Sequence, residues 1–117
     1  MSKNTFGQTI RKLRKEKQLT QKEVAKEVGI DVTYLSKIEN GKLDPPAHDK
    51  IEKLAKILDV DSDFLITEAG KVPEDITNMI PKNSSKIPKL LRSGKDLSDE
   101  DWDRVQEYID KLKRKDK

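Results

Sequence analysis

The sequence has no cysteine and only one histidine, His48. Without cysteine the chain forms no disulfide, no thiolate metal site and no cysteine nucleophile. His48 stands at the start of a predicted helix with no patterned carboxylates beside it, so neither a Ser/His/Asp triad nor a metal site is predicted. No glycine-rich phosphate-binding loop is present. These absences predict a protein that is not an enzyme and holds neither a metal nor a cofactor.

Long apolar runs are also missing. No stretch approaches the roughly 20 apolar residues that a membrane span needs, and the polar N-terminus does not resemble a signal peptide. We therefore expect a soluble, cytoplasmic protein that does not engage a membrane. Only 32% of the 117 residues are hydrophobic and 4% aromatic, so the core is small and dimerisation would bury more apolar surface.

Charge is abundant but unevenly spread. The net charge is +3, yet residues 1–42 carry +5, residues 43–70 carry −4 and residues 71–117 carry +2. A positive excess at the N-terminal end favours contact with a polyanion such as nucleic acid. The alternative is a solvated basic helix, and the charge alone does not separate the two interpretations.

Helix signals fill residues 1–67. Thr20 and Glu23 fit a capping box at the start of one short helix, and Gly29 supplies a left-handed stop at its end. Asp31 can cap the next helix, in which Leu35 lies on the inner face. Two short helices joined by a tight turn are typical of a helix-turn-helix. With a helix before them and two after, residues 1–67 predict a five-helix domain.

Residues 68–97 contain repeated glycine, proline, serine and asparagine, which predicts a linker. Two short helices are possible in it, near 74–80 and 86–92. Residues 98–117 form a better-defined amphipathic helix, with acidic residues where the dipole favours them at its start and basic residues at its end. Its apolar positions are spaced three, four and three apart, namely Trp102, Val105, Ile109 and Leu112, with Tyr108 beside them.

The run from Thr20 to Lys42 reads TQKEVAKEVGIDVTYLSKIENGK and is followed by LAKILDVD at residues 54–61. These segments closely resemble the Xre family, the helix-turn-helix group of the phage lambda and 434 repressors and Cro proteins. The order of domain and C-terminal helix resembles that of SinR-type chromosomal repressors. The resemblance implies an all-α chain: a five-helix lambda-repressor-like DNA-binding domain, a linker and a C-terminal amphipathic helix.

In this family the third helix lies in the major groove. The resemblance implies base readout by the outward residues of its first turns: Val32, Thr33, Ser36 and Lys37. Lys37 can donate to guanine, and Thr33 and Val32 can meet thymine methyl groups. Two alternatives stay open, because Val32 can be a partly buried helix-start residue and Lys37 can touch only phosphate.

The resemblance also implies phosphate contacts by Gln21, Asn40 and Lys42. Tyr34 is a further phosphate donor, unless its ring covers the core instead, and Arg11 is a generic basic candidate. Arg14 and Glu39 lie on helix faces that point inward, so we expect a structural ion pair between the first and third helices, which the family also has. The alternative is a direct role in DNA contact.

One domain of this size reads only a few base pairs, so function requires a homodimer or higher oligomer on two half-sites. Two surfaces are candidates: one formed by Phe64, Leu65 and Ile66, and the apolar seam of the C-terminal helix. Packing of that helix onto its own domain is the alternative. The predicted function is a sequence-specific regulator of double-stranded DNA, a repressor that acts as a dimer on a palindromic operator. The competing hypothesis is an interaction module whose C-terminal helix binds a protein antagonist or toxin.

Overall fold

The structure is a computed structural model that describes residues 5–115; the predictions for residues 1–4 and 116–117 lie outside this range. Within it, every regular element is an α-helix and no strand occurs, which confirms the all-α prediction. The helices are α1 Thr5–Glu16, α2 Gln21–Val28, α3 Val32–Glu39, α4 His48–Leu58, α5 Ser62–Glu68, α6 Glu74–Met79, α7 Lys86–Ser93 and α8 Asp99–Lys115.

The turn between α2 and α3 is defined by its caps. Thr20 Oγ1 accepts a 3.0 Å hydrogen bond from the Glu23 backbone, and Glu23 Oε1 accepts a 2.8 Å bond from the Thr20 backbone. Gly29 adopts a φ of 82° at the end of α2, a conformation that glycine tolerates best. Asp31 then accepts a 2.9 Å bond from the Thr33 backbone and starts α3. These local bonds hold α2 and α3 in a helix-turn-helix.

A single buried cluster lies between the first five helices. α4 packs on α2 and α5, while α1 packs on α3 and α5. The largest fully buried side chains come from all five: Ile10, Val24, Val28, Leu35, Ile38, Ile51, Leu54, Leu58 and Leu65. Their helical spacing puts them on one face of each helix, and burying that face is what stabilises such short helices.

Gly7 permits the closest approach between α1 and α3. A Cβ atom at this position would collide with the carbonyl oxygen of Ile38 and lie 2.9 Å from that of Glu39. These are backbone atoms, so they cannot move aside as a flexible side chain would. The absence of a side chain at Gly7 therefore sets the distance between α1 and the end of α3.

The first compact unit ends at Thr77, not at residue 67 as the sequence predicts. Three contacts hold the following residues to the five-helix core. Thr9 Oγ1 donates to Glu68 Oε1 at 3.1 Å, Ala69 packs against the core, and His48 Nε2 lies 3.2 Å from the Val72 carbonyl oxygen. The start of the predicted linker therefore belongs to the first unit.

The second compact unit begins at Asn78 and contains α7 and α8. Trp102 of α8 lies against Gly94 at the end of α7, where a Cβ would be 2.9 Å from Trp102 Cη2. Part of the segment predicted as linker is therefore structured together with the C-terminal helix. None of the helices in the described range is both long and apolar enough to cross a membrane.

Candidate nucleic-acid interface

Helix α3 presents two chemically different faces. Leu35, Ile38 and Glu39 are buried, whereas Thr33 and Lys37 are exposed. Val32 retains 39% of its surface, so it is not a core residue at the start of the helix. The outward face therefore offers a methyl-rich side chain, a hydroxyl and an ammonium group, the three functions that the predicted base contacts require.

The other predicted α3 residues are less accessible. Ser36 is half-buried, and its Oγ lies 3.5 Å from Asn40 Nδ2. Tyr34 is also half-buried and packs against the core cluster. The Tyr34 ring thus covers part of the core, as the alternative for this residue predicts.

The predicted phosphate-contacting residues lie on three helices and a turn. Arg11 on α1, Asn40 and Lys42 are exposed. The turn that carries Lys42 is closed by a 2.8 Å bond from its backbone nitrogen to the Lys37 carbonyl oxygen, and Gly41 has a φ of 75°. This bond holds the end of α3 and the following basic residue together.

Gln21, the first residue of α2, has a more specific environment. Its Nε2 donates a 3.0 Å hydrogen bond to Glu39 Oε1, which fixes the amide against the end of α3. An amide nitrogen carries two hydrogens, so this bond leaves the second one for another acceptor. The sequence motif indicated Gln21 as a phosphate contact but gave no sign of this partner.

Arg14 and Glu39 form the ion pair expected between α1 and α3. Arg14 Nε lies 2.8 Å from Glu39 Oε2 and Nη2 lies 2.9 Å from Oε1, a bidentate arrangement, while Nη1 donates to the Leu19 carbonyl oxygen at 2.9 Å. Only 10% and 1% of the two side chains are exposed. The hydrogen bonding that Arg14 donates to the Glu39 carboxylate raises the pKa of Arg14 against the opposing effect of burial. The guanidinium therefore stays charged.

The residues predicted for oligomerisation divide into two groups. Leu65 and Ile66 are buried in the core, and only Phe64 of the first predicted surface is exposed. Side chains that α5 buries in its own core cannot also contact a second copy of the chain. On α8, Val105 is half-buried, and the remaining seam residues are exposed: Trp102, Tyr108, Ile109 and Leu112.

Other kinds of site have little support. No cluster of three potential metal ligands occurs among the described residues. A surface groove of about 330 Å³ lies beside α2 and α4, lined by Glu27, Lys53, Lys56 and Ile57. The groove contains none of the residues predicted to contact DNA. The outward face of α3, flanked by Gln21 and Lys42, is therefore the candidate interface.

Comparison with known proteins points to the same segment. The family model described as Helix-turn-helix matches residues 10–65. The chain is 42% identical over 74 residues to the uncharacterized HTH-type transcriptional regulator RghRB of Bacillus subtilis, a match that covers 61% of this chain and 53% of that protein. It is 41% identical over 70 residues to the ImmF control region 10 kDa protein of Bacillus phage phi105, covering 59% and 77% of the two chains. The chain thus spans about half the length of RghRB.

A solved structure extends the similarity beyond the helix-turn-helix. A chain of the SinR protein/SinI protein complex has a TM-score of 0.51 and 27% sequence identity to this protein. The match covers 93% of this chain and 98% of the other. It therefore includes residues of both compact units.

Proposed function

This chain belongs to the helix-turn-helix family, and we propose that it is a sequence-specific DNA-binding transcriptional regulator. It acts as a repressor that binds a palindromic operator as a dimer. The observation that carries this proposal is the division of α3: Leu35 and Ile38 fix the helix to the core, while Val32, Thr33 and Lys37 remain accessible. A firmly packed helix with free polar side chains suits insertion into the major groove.

The proposed base contacts follow from the chemistry of these side chains. Lys37 donates to guanine N7 or O6, and Thr33 hydrogen-bonds to a base edge while its methyl group meets a thymine methyl. Val32 makes apolar contact only, and Ser36 is a weaker candidate because it is half-buried. Since only Lys37 carries a strong donor, part of the specificity comes from the shape of the DNA.

The proposed phosphate contacts surround this face. Gln21 offers an amide held by Glu39 at the N-terminus of α2, where unpaired backbone N–H groups also attract an anion. Asn40 and Lys42 act at the other end of α3, and Arg11 adds charge from α1. The ring of Tyr34 is half-buried, which limits how far its hydroxyl group can reach toward a phosphate. These contacts position the protein on DNA without reading its sequence.

A dimer is part of the proposal because one such domain contacts too few base pairs for useful specificity. Two copies on half-sites about 34 Å apart, one helical turn of DNA, would combine their contacts. The exposed apolar side chains of α8 offer a surface for the pairing. A dimer bound at an operator that overlaps a promoter would repress by occupying the DNA.

Selection of bound sequences from random double-stranded DNA tests the proposal. The wild-type chain should enrich one palindromic sequence, and Lys37→Ala should relax the preference at one base pair of each half-site. Lys53→Ala removes another exposed lysine, from α4, and should leave the selected sequence unchanged. Recovery of random sequences by the wild-type chain would show that binding is not sequence-specific. If Lys37→Ala instead weakens binding to all sequences equally, Lys37 contacts only phosphate.

A second candidate function is binding of a protein antagonist through α8. The matched chain comes from a complex of SinR with SinI, and the match covers 93% of this chain, so it includes at least part of α8. We propose a test in the full chain, by affinity capture from cell extract with wild type and with Ile109→Asp/Leu112→Asp. A specific protein lost from the variant would favour this function, and recovery of the chain itself alone would count against it.

A further inference from the structure

The segment around α7 carries charge of one sign. Residues 76–95 contain five basic residues and no acidic one, although the chain has 22 acidic residues among its 117. All five basic side chains are exposed. Three of them lie on α7 and one lies on each side of the helix: Lys82, Lys86, Lys89, Arg92 and Lys95. A surface of this kind attracts a partner of negative charge.

The three basic residues of α7 lie on one side of the helix. Lys86, Lys89 and Arg92 are spaced three residues apart, so they are neighbours on successive turns, and together they form what we call the basic face. At about 100° per residue, Ile87 and Leu91 point to the opposite side, where Ile87 is half-buried. The basic face is therefore separate from the apolar side of α7, and a partner can bind it without displacing apolar contacts.

The stability of α7 does not account for the basic face. Lys86 stands in the first turn, where the helix dipole disfavours positive charge, and this turn has no acidic residue to compensate. The ion pairs found among the described residues join Arg14 to Glu39 and Lys17 to Asp59, so neither of them neutralises α7. The basic face thus keeps its charge for a partner outside its own unit.

We propose that the basic face of α7 contacts phosphates of the DNA that flanks the half-site bound by the first unit. Its three charges are spread over about 9 Å along the helix axis, at 1.5 Å per residue. One strand of DNA presents a phosphate about every 3.4 Å along the duplex axis. The basic face can therefore meet two or three neighbouring phosphates. These contacts are independent of base sequence and add to the phosphate contacts of the first unit.

The inference rests on the proposed function, because the first unit is what brings DNA to α7. Lys86 follows the end of that unit, Thr77, by nine residues, so the chain keeps α7 within about 30 Å of it. A tethered contact of this kind acts at an effective concentration on the order of millimolar, which makes a few phosphate contacts useful. The acidic first turn of α8 repels phosphate and confines the contact to α7.

The salt dependence of DNA binding by the full chain tests the contact. Lys86→Gln/Lys89→Gln should lower the slope of log affinity against log salt concentration by about 1.8, and added Arg92→Gln should bring the decrease to about 2.7, at about 0.9 per phosphate. Lys53→Gln/Lys56→Gln on α4 is the matched control, because it removes two exposed lysines at the same spacing, and it should leave the slope unchanged. Lys86→Arg/Lys89→Arg keeps both charges and should keep the wild-type slope.

Duplexes of two lengths locate the contact. One duplex ends at the edges of the selected palindrome, and the other extends it by about ten base pairs, one helical turn, on each side. The wild-type chain should bind the longer duplex about tenfold more tightly, because it gains phosphates for the basic face. Lys86→Gln/Lys89→Gln should lose most of this gain, and Lys53→Gln/Lys56→Gln should retain it.

Four results would overturn the contact. The first two are equal salt slopes for the wild type and Lys86→Gln/Lys89→Gln, and a wild-type chain that gains nothing on the longer duplex. The third is a variant impaired only in binding to phosphatidylglycerol vesicles, which would assign the basic face to a membrane. The fourth is a changed oligomeric state in sedimentation, which would assign it to subunit pairing. Circular dichroism and the arginine variant separate loss of charge from loss of the helix.

The same measurements separate this contact from the proposed function. A wild-type chain that selects no palindrome, but whose salt slope on a random duplex falls in Lys86→Gln/Lys89→Gln, would reject sequence-specific binding and leave the α7 contact in place. Selection of a palindrome together with equal salt slopes would reject the α7 contact alone.

Discussion

Gln21 and Glu39 join the two helices of the helix-turn-helix through a 3.0 Å hydrogen bond from Gln21 Nε2 to Glu39 Oε1. The same carboxylate oxygen accepts a 2.9 Å bond from Arg14 Nη2. One buried carboxylate therefore fixes α1 through an ion pair and orients, through an amide, a residue that we propose contacts phosphate. Packing of the domain and the geometry of its DNA-facing surface depend on the same atom.

Removal of Glu39 should destabilise the domain strongly. Glu39→Ala leaves the buried guanidinium of Arg14 without its bidentate partner, and breaking a buried pair in this way costs about 3–5 kcal/mol in free energy of unfolding. Urea denaturation measures the loss. The matched control is Lys17→Ala, which removes an exposed 3.3 Å pair with Asp59 and should cost under about 1 kcal/mol. Similar losses for both variants would argue against a structural role of the buried pair.

Gln21 and Lys42 should be distinguishable by the salt dependence of DNA binding. Lys42→Ala should lower the slope of log affinity against log salt concentration by about 0.9, because one fewer phosphate is neutralised. Gln21→Ala should weaken binding to all sequences but leave the slope unchanged, because the amide carries no charge. Fluorescence anisotropy over a salt series provides both values. A changed slope for Gln21→Ala, or an unchanged slope for Lys42→Ala, would refute the assigned contacts.

Gly7→Ala should be destabilising even though alanine is the better helix former. At an ordinary exposed helix position this change would gain about 1 kcal/mol. Here the added methyl group would meet the Ile38 and Glu39 carbonyl oxygens, and forced separation of α1 and α3 should cost about 1–3 kcal/mol. Thermal unfolding of this variant and of Gln8→Ala, an exposed neighbour in α1, checks the prediction. A gain in stability for Gly7→Ala would show that the helices separate readily.

Loss of the α2 cap should have a smaller effect. Thr20→Ala removes the side chain that accepts from the Glu23 backbone and should lower the free energy of unfolding by about 1 kcal/mol. Thr67→Ala, at an exposed position in α5, is the control and should be close to neutral. If the two variants have equal stability, the capping box contributes nothing measurable.

The sequence predicts most of the first unit because the signals for these helices are local. A cap such as Asp31, a stop such as Gly29 and the inward spacing of Leu35 and Ile38 act within a few residues of one another. Periodicity also predicts the inward direction of Arg14 and Glu39. The bond between Gln21 and Glu39 and the approach of α3 to Gly7 depend on tertiary placement, which no local pattern encodes.

The errors have the same origin. Phe64, Leu65 and Ile66 are adjacent apolar residues at the end of the predicted domain, a pattern that predicts one shared surface. The orientation of α5 instead buries Leu65 and Ile66 and leaves only Phe64 exposed. Similarly, glycine and proline near residue 70 predict a linker, but contacts from Thr9 and His48, both distant in sequence, retain that segment in the first unit.

Reading of a DNA sequence by α3 can be measured as the ratio of affinities for two duplexes at one fixed salt concentration. One duplex carries the selected palindrome and the other a scrambled sequence of equal length and composition. The wild-type chain should bind the palindrome about a thousandfold more tightly or better, the range of specific DNA-binding proteins. Equal affinity for the two duplexes would show that α3 does not read the DNA sequence.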